Sequence, residues 1–128
     1  MLRYDLAFLL AALLCAVTGM AMGIVMGIAH DFSLSPVHGY LNLAGFVALG
    51  LYALIHRGWP ELAASPLASV QLWTGVIGAP VLAIGIGVSI KLGQPVIAII
   101  GSFIAIASPV LMTVMVLGLL RERRRALA

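Results

Sequence analysis

LAFLLAALLCAVTGMAMGIVMGIA, residues 6–29, is a stretch without a single charged side chain. Three more uncharged stretches follow it, at residues 37–55, 70–90 and 96–120. Each holds about the 20 residues that a helix needs to cross a hydrocarbon core of roughly 30 Å. The sequence therefore predicts a single transmembrane domain over residues 1–128 with four membrane-spanning helices.

The composition supports the same interpretation. The chain is 63% hydrophobic and only 9% charged, whereas soluble domains carry roughly 25% charged residues. A soluble protein of this size has too little interior to bury so much apolar surface. The short connections favour antiparallel neighbours, so we expect an all-α integral membrane four-helix bundle of up-down-up-down topology. The alternating polarity of a membrane β-barrel strand is absent.

The basic residues predict the orientation of the chain. With four spans, only Lys91 falls on one side of the membrane, and six arginines fall on the other: Arg3, Arg57, Arg121, Arg123, Arg124 and Arg125. The positive-inside rule then places the N and C termini in the cytoplasm, with the protein in the bacterial inner (cytoplasmic) membrane. The arginine-rich run at 121–125 directly follows a span, which favours contact with the lipid bilayer and no role with nucleic acid.

Small residues recur on the first span. Gly19, Gly23 and Gly27 are four residues apart, and such spacing lets two membrane helices approach closely. The two helices that approach each other can belong to the same bundle or to two copies of the chain. We expect a homo-oligomer.

The residues that carry chemistry are few, and no catalytic constellation is visible. Ionisable residues inside a membrane are costly and usually functional, which singles out His38 in the first turn of the second span. Asn42 lies on the same helical face, with Gly45 one turn further on. An imidazole can ligate haem iron, and a nearby glycine leaves room for the ring edge. The alternative is a histidine that hydrogen-bonds at the membrane interface.

A resemblance strengthens the haem hypothesis. Residues 38–56, HGYLNLAGFVALGLYALIH, resemble the His-x-His-x-Asn-Leu-x-Gly-Trp-Val segment of small four-helix membrane proteins similar to haem-copper (cbb3-type) cytochrome oxidase subunit I. The resemblance implies that His38, near the outer end of its span, ligates a low-spin haem b. Tyr40 and Phe46 replace the second histidine and the tryptophan of that pattern.

The expected function is that of a b-type haem-binding membrane protein, in electron transfer or gas sensing, with a respiratory-chain redox partner. The third and fourth spans contain no histidine, so a complete terminal oxidase is not expected. The second axial ligand is open between His38 of another copy, His30, and a methionine.

Two other hypotheses remain. Met22, Met26 and His30 recur at intervals of four residues on the first span, and thioether and imidazole ligands also suit Cu(I). The alternative is that the methionines fill gaps between helices, which is their ordinary role. The chain can also be a cofactor-free structural or assembly subunit of a respiratory complex. His56, beside Arg57, is predicted to anchor the chain at the membrane interface.

Overall fold

A computed structural model describes residues 3–128, so the first two residues of the predicted domain lie outside it. Every regular element in the described part is helical, which confirms the all-α prediction for that part. In chain order the elements are α1 (Tyr4–Ala29), α2 (Ser35–Tyr40), a π-helical segment (Leu41–Val47), α3 (Ala48–Gly58), α4 (Pro60–Ala63), α5 (Ala68–Leu92) and α6 (Val96–Leu127).

Four helices are long and apolar enough to cross a membrane: α1, the continuous second span Ser35–Gly58, α5 and α6. This fits a multi-pass membrane protein with four transmembrane helices. Each helix extends beyond its uncharged stretch, and α6 continues through the arginine run to Leu127. Arginine, glutamate and leucine are good helix formers, so the loss of apolar character does not end the helix.

Small residues set the closest helix contact, between α5 and α6. A Cβ atom added to Gly78 would lie 2.6 Å from the backbone of Ala105, and one added to Gly101 would lie 2.5 Å from the backbone of Leu82. Real Cβ atoms do not approach backbone this closely, so only glycine permits the spacing. In lipid, such close approach supplies the packing that associates helices.

The first three spans share an apolar core. Its buried members come from α1, α3 and α5: Phe8, Ala12, Leu49, Ala53, Leu72 and Ala79. Around this core the outward faces are largely apolar, with Leu14 and Phe103 among the exposed side chains, as expected of helices that meet acyl chains. The core fixes the depth of the second span against α1, where the candidate site lies.

Polar contacts join the helix ends. Asp5 of α1 lies 3.6 Å from Arg57 at the end of the second span, and Glu61 of α4 pairs with Arg123 of α6 at 2.9 Å. Elsewhere, Lys91 near the end of α5 donates a hydrogen bond to Ser33 in the connection that precedes the second span. Charged groups are thereby confined to the ends of the spans.

Candidate functional site

The second span places its polar residues against the glycines of α1. A Cβ atom on Gly23 would lie 2.9 Å from Cε1 of His38, and one on Gly19 would lie 2.7 Å from Nδ2 of Asn42. The two missing side chains form a groove, here called the glycine groove, that receives the imidazole and the amide. His38 and Asn42 therefore do share a face, as their spacing predicts.

A hydrogen bond to the backbone of α1 fixes the His38 ring. Its Nδ1 lies 2.7 Å from the carbonyl oxygen of Gly19, and a carbonyl can only accept, so Nδ1 carries the proton. The Asn42 amide nitrogen, 3.4 Å from this Nδ1, is also a donor and cannot bond to it. Its hydrogen bond goes instead to the His38 carbonyl oxygen at 2.8 Å.

The other nitrogen of the ring is left open. In a neutral imidazole with its proton on Nδ1, Nε2 holds the lone pair, and only Nδ1 of His38 has a hydrogen-bond partner among residues 3–128. The ring is half-buried. Metal-ligating histidines commonly hold one nitrogen against a backbone carbonyl and offer the other to the metal. His38 has this arrangement.

The backbone around the site is a π-helix, whereas the sequence predicted an ordinary α-helix here. Single π turns inside α-helices occur frequently at functional sites, and this one, Leu41–Val47, contains both Asn42 and Gly45. A Cβ atom on Gly45 would lie 2.6 Å from Cβ of Cys15. The space beside Gly45 is therefore filled by Cys15 of α1, where the sequence suggested room for a haem edge.

The predicted stripe on α1 is split between three environments. Met22 packs beside the cluster of Val37 and Leu41, Met26 is buried, and His30 is exposed. His30 ends α1 in a left-handed conformation, with φ of 50°, which histidine tolerates better than most residues. Residues 3–128 contain no group of three or more His, Cys, Asp or Glu side chains that could hold a metal ion.

A second polar pair, which the sequence did not reveal, lies between the second and third spans. His56 is only 3% exposed and Gln71 is fully buried; the Nε2–H of His56 donates to Oε1 of Gln71 at 2.8 Å. The imidazole stacks on Phe8 and Tyr4, with ring centroids 5.5 and 5.7 Å apart. The prediction that His56 anchors the chain at the interface is wrong, because the ring is enclosed by α1 and α5.

Gln71 is held from the other side as well. Its backbone carbonyl accepts a hydrogen bond of 2.9 Å from the buried Ser108 hydroxyl of α6. The pair thus connects the second, third and fourth spans. Gln71 is the only side chain with an amide or a charge in residues 70–90, and this was the one signal in the sequence that could have pointed to a buried partner for His56.

The chain matches no protein-family model, no curated protein and no solved structure. The resemblance to oxidase subunit I therefore stays a prediction from the pattern in residues 38–56.

Proposed function

We propose that the chain is a bacterial inner-membrane protein with four alternating spans and both termini in the cytoplasm. The contacts at the helix ends support this topology, because Asp5 meets Arg57, and Glu61 meets Arg123. In an alternating bundle these four residues all fall on one side of the membrane. The same side then holds six of the seven basic residues, as the positive-inside rule requires.

We further propose that this protein binds b-type haem through Nε2 of His38 and acts in electron transfer or gas sensing. The observation that carries the proposal is the hydrogen bond from Nδ1–H of His38 to the Gly19 carbonyl, which fixes the ring and leaves Nε2 as the available ligand. Haem supplies one-electron redox chemistry and an iron that can bind diatomic gases. His38 would supply an imidazole ligand, and the Gly19 carbonyl and the glycine groove would hold that imidazole in position.

The surroundings of His38 restrict how such a site is built. Cys15 fills the space beside Gly45. An apolar cavity of about 390 Å³ lies between α1, α2 and α5, but His38 is not among its lining residues. A site between two copies of the chain, each contributing its own His38, meets this restriction. The homo-oligomer and the second axial ligand are therefore proposed together.

An optical spectrum of the purified protein tests the haem proposal. Protein from haem-replete cells should show a Soret band that shifts on reduction, and His38→Ala should lose it. His30→Ala is the matched control, because His30 is exposed and lies outside the glycine groove, so this variant should keep the band. A colourless wild-type protein, or an unchanged spectrum in His38→Ala, would contradict the proposal.

One observation favours a second candidate, a cofactor-free structural or assembly subunit. The His38–Asn42 pair already finds its partners on α1 and on its own backbone, as a purely structural helix contact would. This function predicts a colourless protein without copper or iron in elemental analysis, which co-purifies with a larger membrane complex. Copper without a Soret band would instead support the copper hypothesis for Met22, Met26 and His30.

A further inference from the structure

One end of the bundle contains a cavity of about 380 Å³ with charged residues in its lining. Its lining includes Arg3, Asp5, His56, Arg57 and Pro60. It is thus bounded by the start of α1, the end of the second span and α4, at the boundary between a span and its connection. A ligand here meets both charged groups and the edge of the apolar region.

The charges around the cavity do not balance. The Asp5 carboxylate lies 3.0 Å from Arg3 and 3.6 Å from Arg57. Two guanidinium groups around one carboxylate leave one positive charge without a partner in the triad. Arg57 has the longer contact, and its side chain is 73% exposed, so it is the more available group. The cavity therefore favours a ligand with one negative charge, and guanidinium groups bind phosphate oxygens well.

His56 adds a second requirement, a hydrogen-bond donor on the ligand. Its Nε2–H is used by Gln71, a residue that does not line the cavity. Its Nδ1 is buried and has no hydrogen-bond partner among residues 3–128. With the proton on Nε2, a neutral ring presents Nδ1 as an acceptor, and a buried acceptor without a donor is costly. A hydroxyl group on a ligand would satisfy it.

A second cavity of about 310 Å³ shares Arg3, Asp5 and Arg57 with the first one. Its remaining walls come from α1 and α3 and include Leu6 and Leu54, which are exposed on the outward face of the bundle. The ionic triad thus lines one cavity that also includes His56 and a second cavity whose remaining walls are aliphatic. This is the arrangement that an amphiphile needs and that a soluble anion does not.

We propose that the triad, His56 and the leucine surface bind one anionic glycerophospholipid whose head group carries a hydroxyl, such as phosphatidylglycerol. The phosphodiester pairs with Arg57 and Arg3, the head-group hydroxyl donates to Nδ1 of His56, and an acyl chain lies along Leu6 and Leu54. The single negative charge of the phosphodiester matches the single excess positive charge of the triad. This site goes beyond the haem proposal and does not depend on it.

Native mass spectrometry of the full chain, released from micelles doped with a defined lipid, tests the charge requirement. Phosphatidylglycerol should remain bound, and zwitterionic phosphatidylcholine should not. Arg57→Gln should weaken phosphatidylglycerol binding by about fivefold, the effect of one basic residue near an anionic head group. Arg124→Gln removes the same charge from the exposed end of α6 and should leave binding unchanged. Equal losses in the two variants would overturn the site in favour of general charge attraction.

The hydroxyl requirement is tested on the ligand, because substitution of the buried His56 risks misfolding. Phosphatidylmethanol has the same charge as phosphatidylglycerol but no head-group hydroxyl, so it should bind more weakly. Equal binding of the two lipids would overturn the role of His56. Soluble glycerol phosphate should not displace the bound lipid; displacement would show that the site recognises phosphate alone and overturn the lipid assignment.

Discussion

The second span carries a histidine near each of its ends, and the two differ in burial and in the ring nitrogen that donates a hydrogen bond. His38 is half-buried and donates to a backbone carbonyl, Gly19, through Nδ1. His56 is almost fully buried and donates to a side-chain amide, Gln71, through Nε2. Within residues 3–128, His38 has no hydrogen bond to its Nε2, whereas His56 uses its Nε2–H and has a buried Nδ1 without a partner. One residue type on one helix therefore supplies two different sites.

The neighbouring helix decides between these outcomes. At His38, α1 presents glycines, so its backbone is accessible and the ring lies in a shallow groove. At His56, α1 presents Tyr4 and Phe8, and their rings stack on the imidazole. A bare backbone offers a carbonyl and leaves one edge of the imidazole open, whereas aromatic partners cover its faces. The surface that α1 presents therefore sets the chemistry of each histidine in this helix.

Filling the glycine groove should have the largest effect on the difference between the two histidines. Gly23→Leu would place atoms less than 3 Å from the imidazole, so the ring must leave Gly19. Overpacking of this kind typically costs about 1–3 kcal/mol, and we expect a value near the upper limit because the hydrogen bond is lost as well. Unfolding in detergent, followed by circular dichroism, measures the loss.

Gly27→Leu is the matched control for that experiment. It adds the same side chain to the same helix, but a Cβ atom there meets no atom of residues 3–128 within 4 Å. The free energy of unfolding should stay the same or rise by up to about 1 kcal/mol, since leucine is a better helix former than glycine. If both variants unfold alike, the groove does not hold His38 as described.

The second-largest effect concerns the buried pair of His56 and Gln71. Gln71→Leu leaves the Nε2–H of His56 buried without an acceptor, and we expect a loss of about 1.5 kcal/mol. That value is near the upper limit for hydrogen bonds between membrane helices, because both groups are buried. A Soret band that depends on His38 should be unaffected, which would separate the two histidines by function as well as by structure.

The double variant His56→Phe, Gln71→Leu gives the control. Phenylalanine keeps a flat ring between Tyr4 and Phe8 and removes the polar group, so the double variant should be more stable than Gln71→Leu alone. The single variant His56→Phe completes the cycle. If the loss in the double variant equals the sum of the losses in His56→Phe and Gln71→Leu, the two residues are not coupled.

The features that the sequence predicted correctly, the four long helices and the shared face of His38 and Asn42, depend on local residue patterns. Charge-free stretches of sufficient length predicted the four helices, because crossing a membrane is a requirement of length and polarity. The spacing of His38 and Asn42 placed both residues on one face, which the contacts with Gly23 and Gly19 confirm. The same small-residue pattern on α1 predicted close helix approach, although not which residues would enter the groove.

The features that sequence missed all depend on a distant partner. Cys15 fills the space beside Gly45 only because α1 and the second span meet in one particular register. His56 is buried because Gln71, fifteen positions along, accepts its hydrogen bond. The π-helical turn at Leu41–Val47 contains no proline that would mark it. Apart from the lone amide of Gln71 in residues 70–90, the sequence pattern did not indicate these contacts, since each is fixed by packing between helices.

The smallest predicted effect concerns acid and the end of the bundle at which His56 lies. A hydrogen bond from its own backbone N–H, and one from Arg123, lower the pKa of the Glu61 carboxyl below its ordinary value of about 4.5. The ion pair therefore stabilises the attachment of α4 to α6 above that pH, and its contribution is lost as the pH falls through the lowered pKa. Both groups are exposed, so the change should be small.

Trp59, directly before α4 and half-exposed, can report this change by fluorescence in a Trp73→Phe background. Acidification below about 4.5 should shift the Trp59 emission, and Glu61→Gln should abolish the shift because it removes the titrating group. Glu122→Gln removes a carboxylate from α6 that forms no ion pair in the described residues, so its shift should persist. If Glu122→Gln abolished the shift instead, Glu61 would not be the group that links α4 to α6. A shift that Glu61→Gln abolishes and Glu122→Gln preserves would show that acid weakens the attachment of α4 to α6 through Glu61.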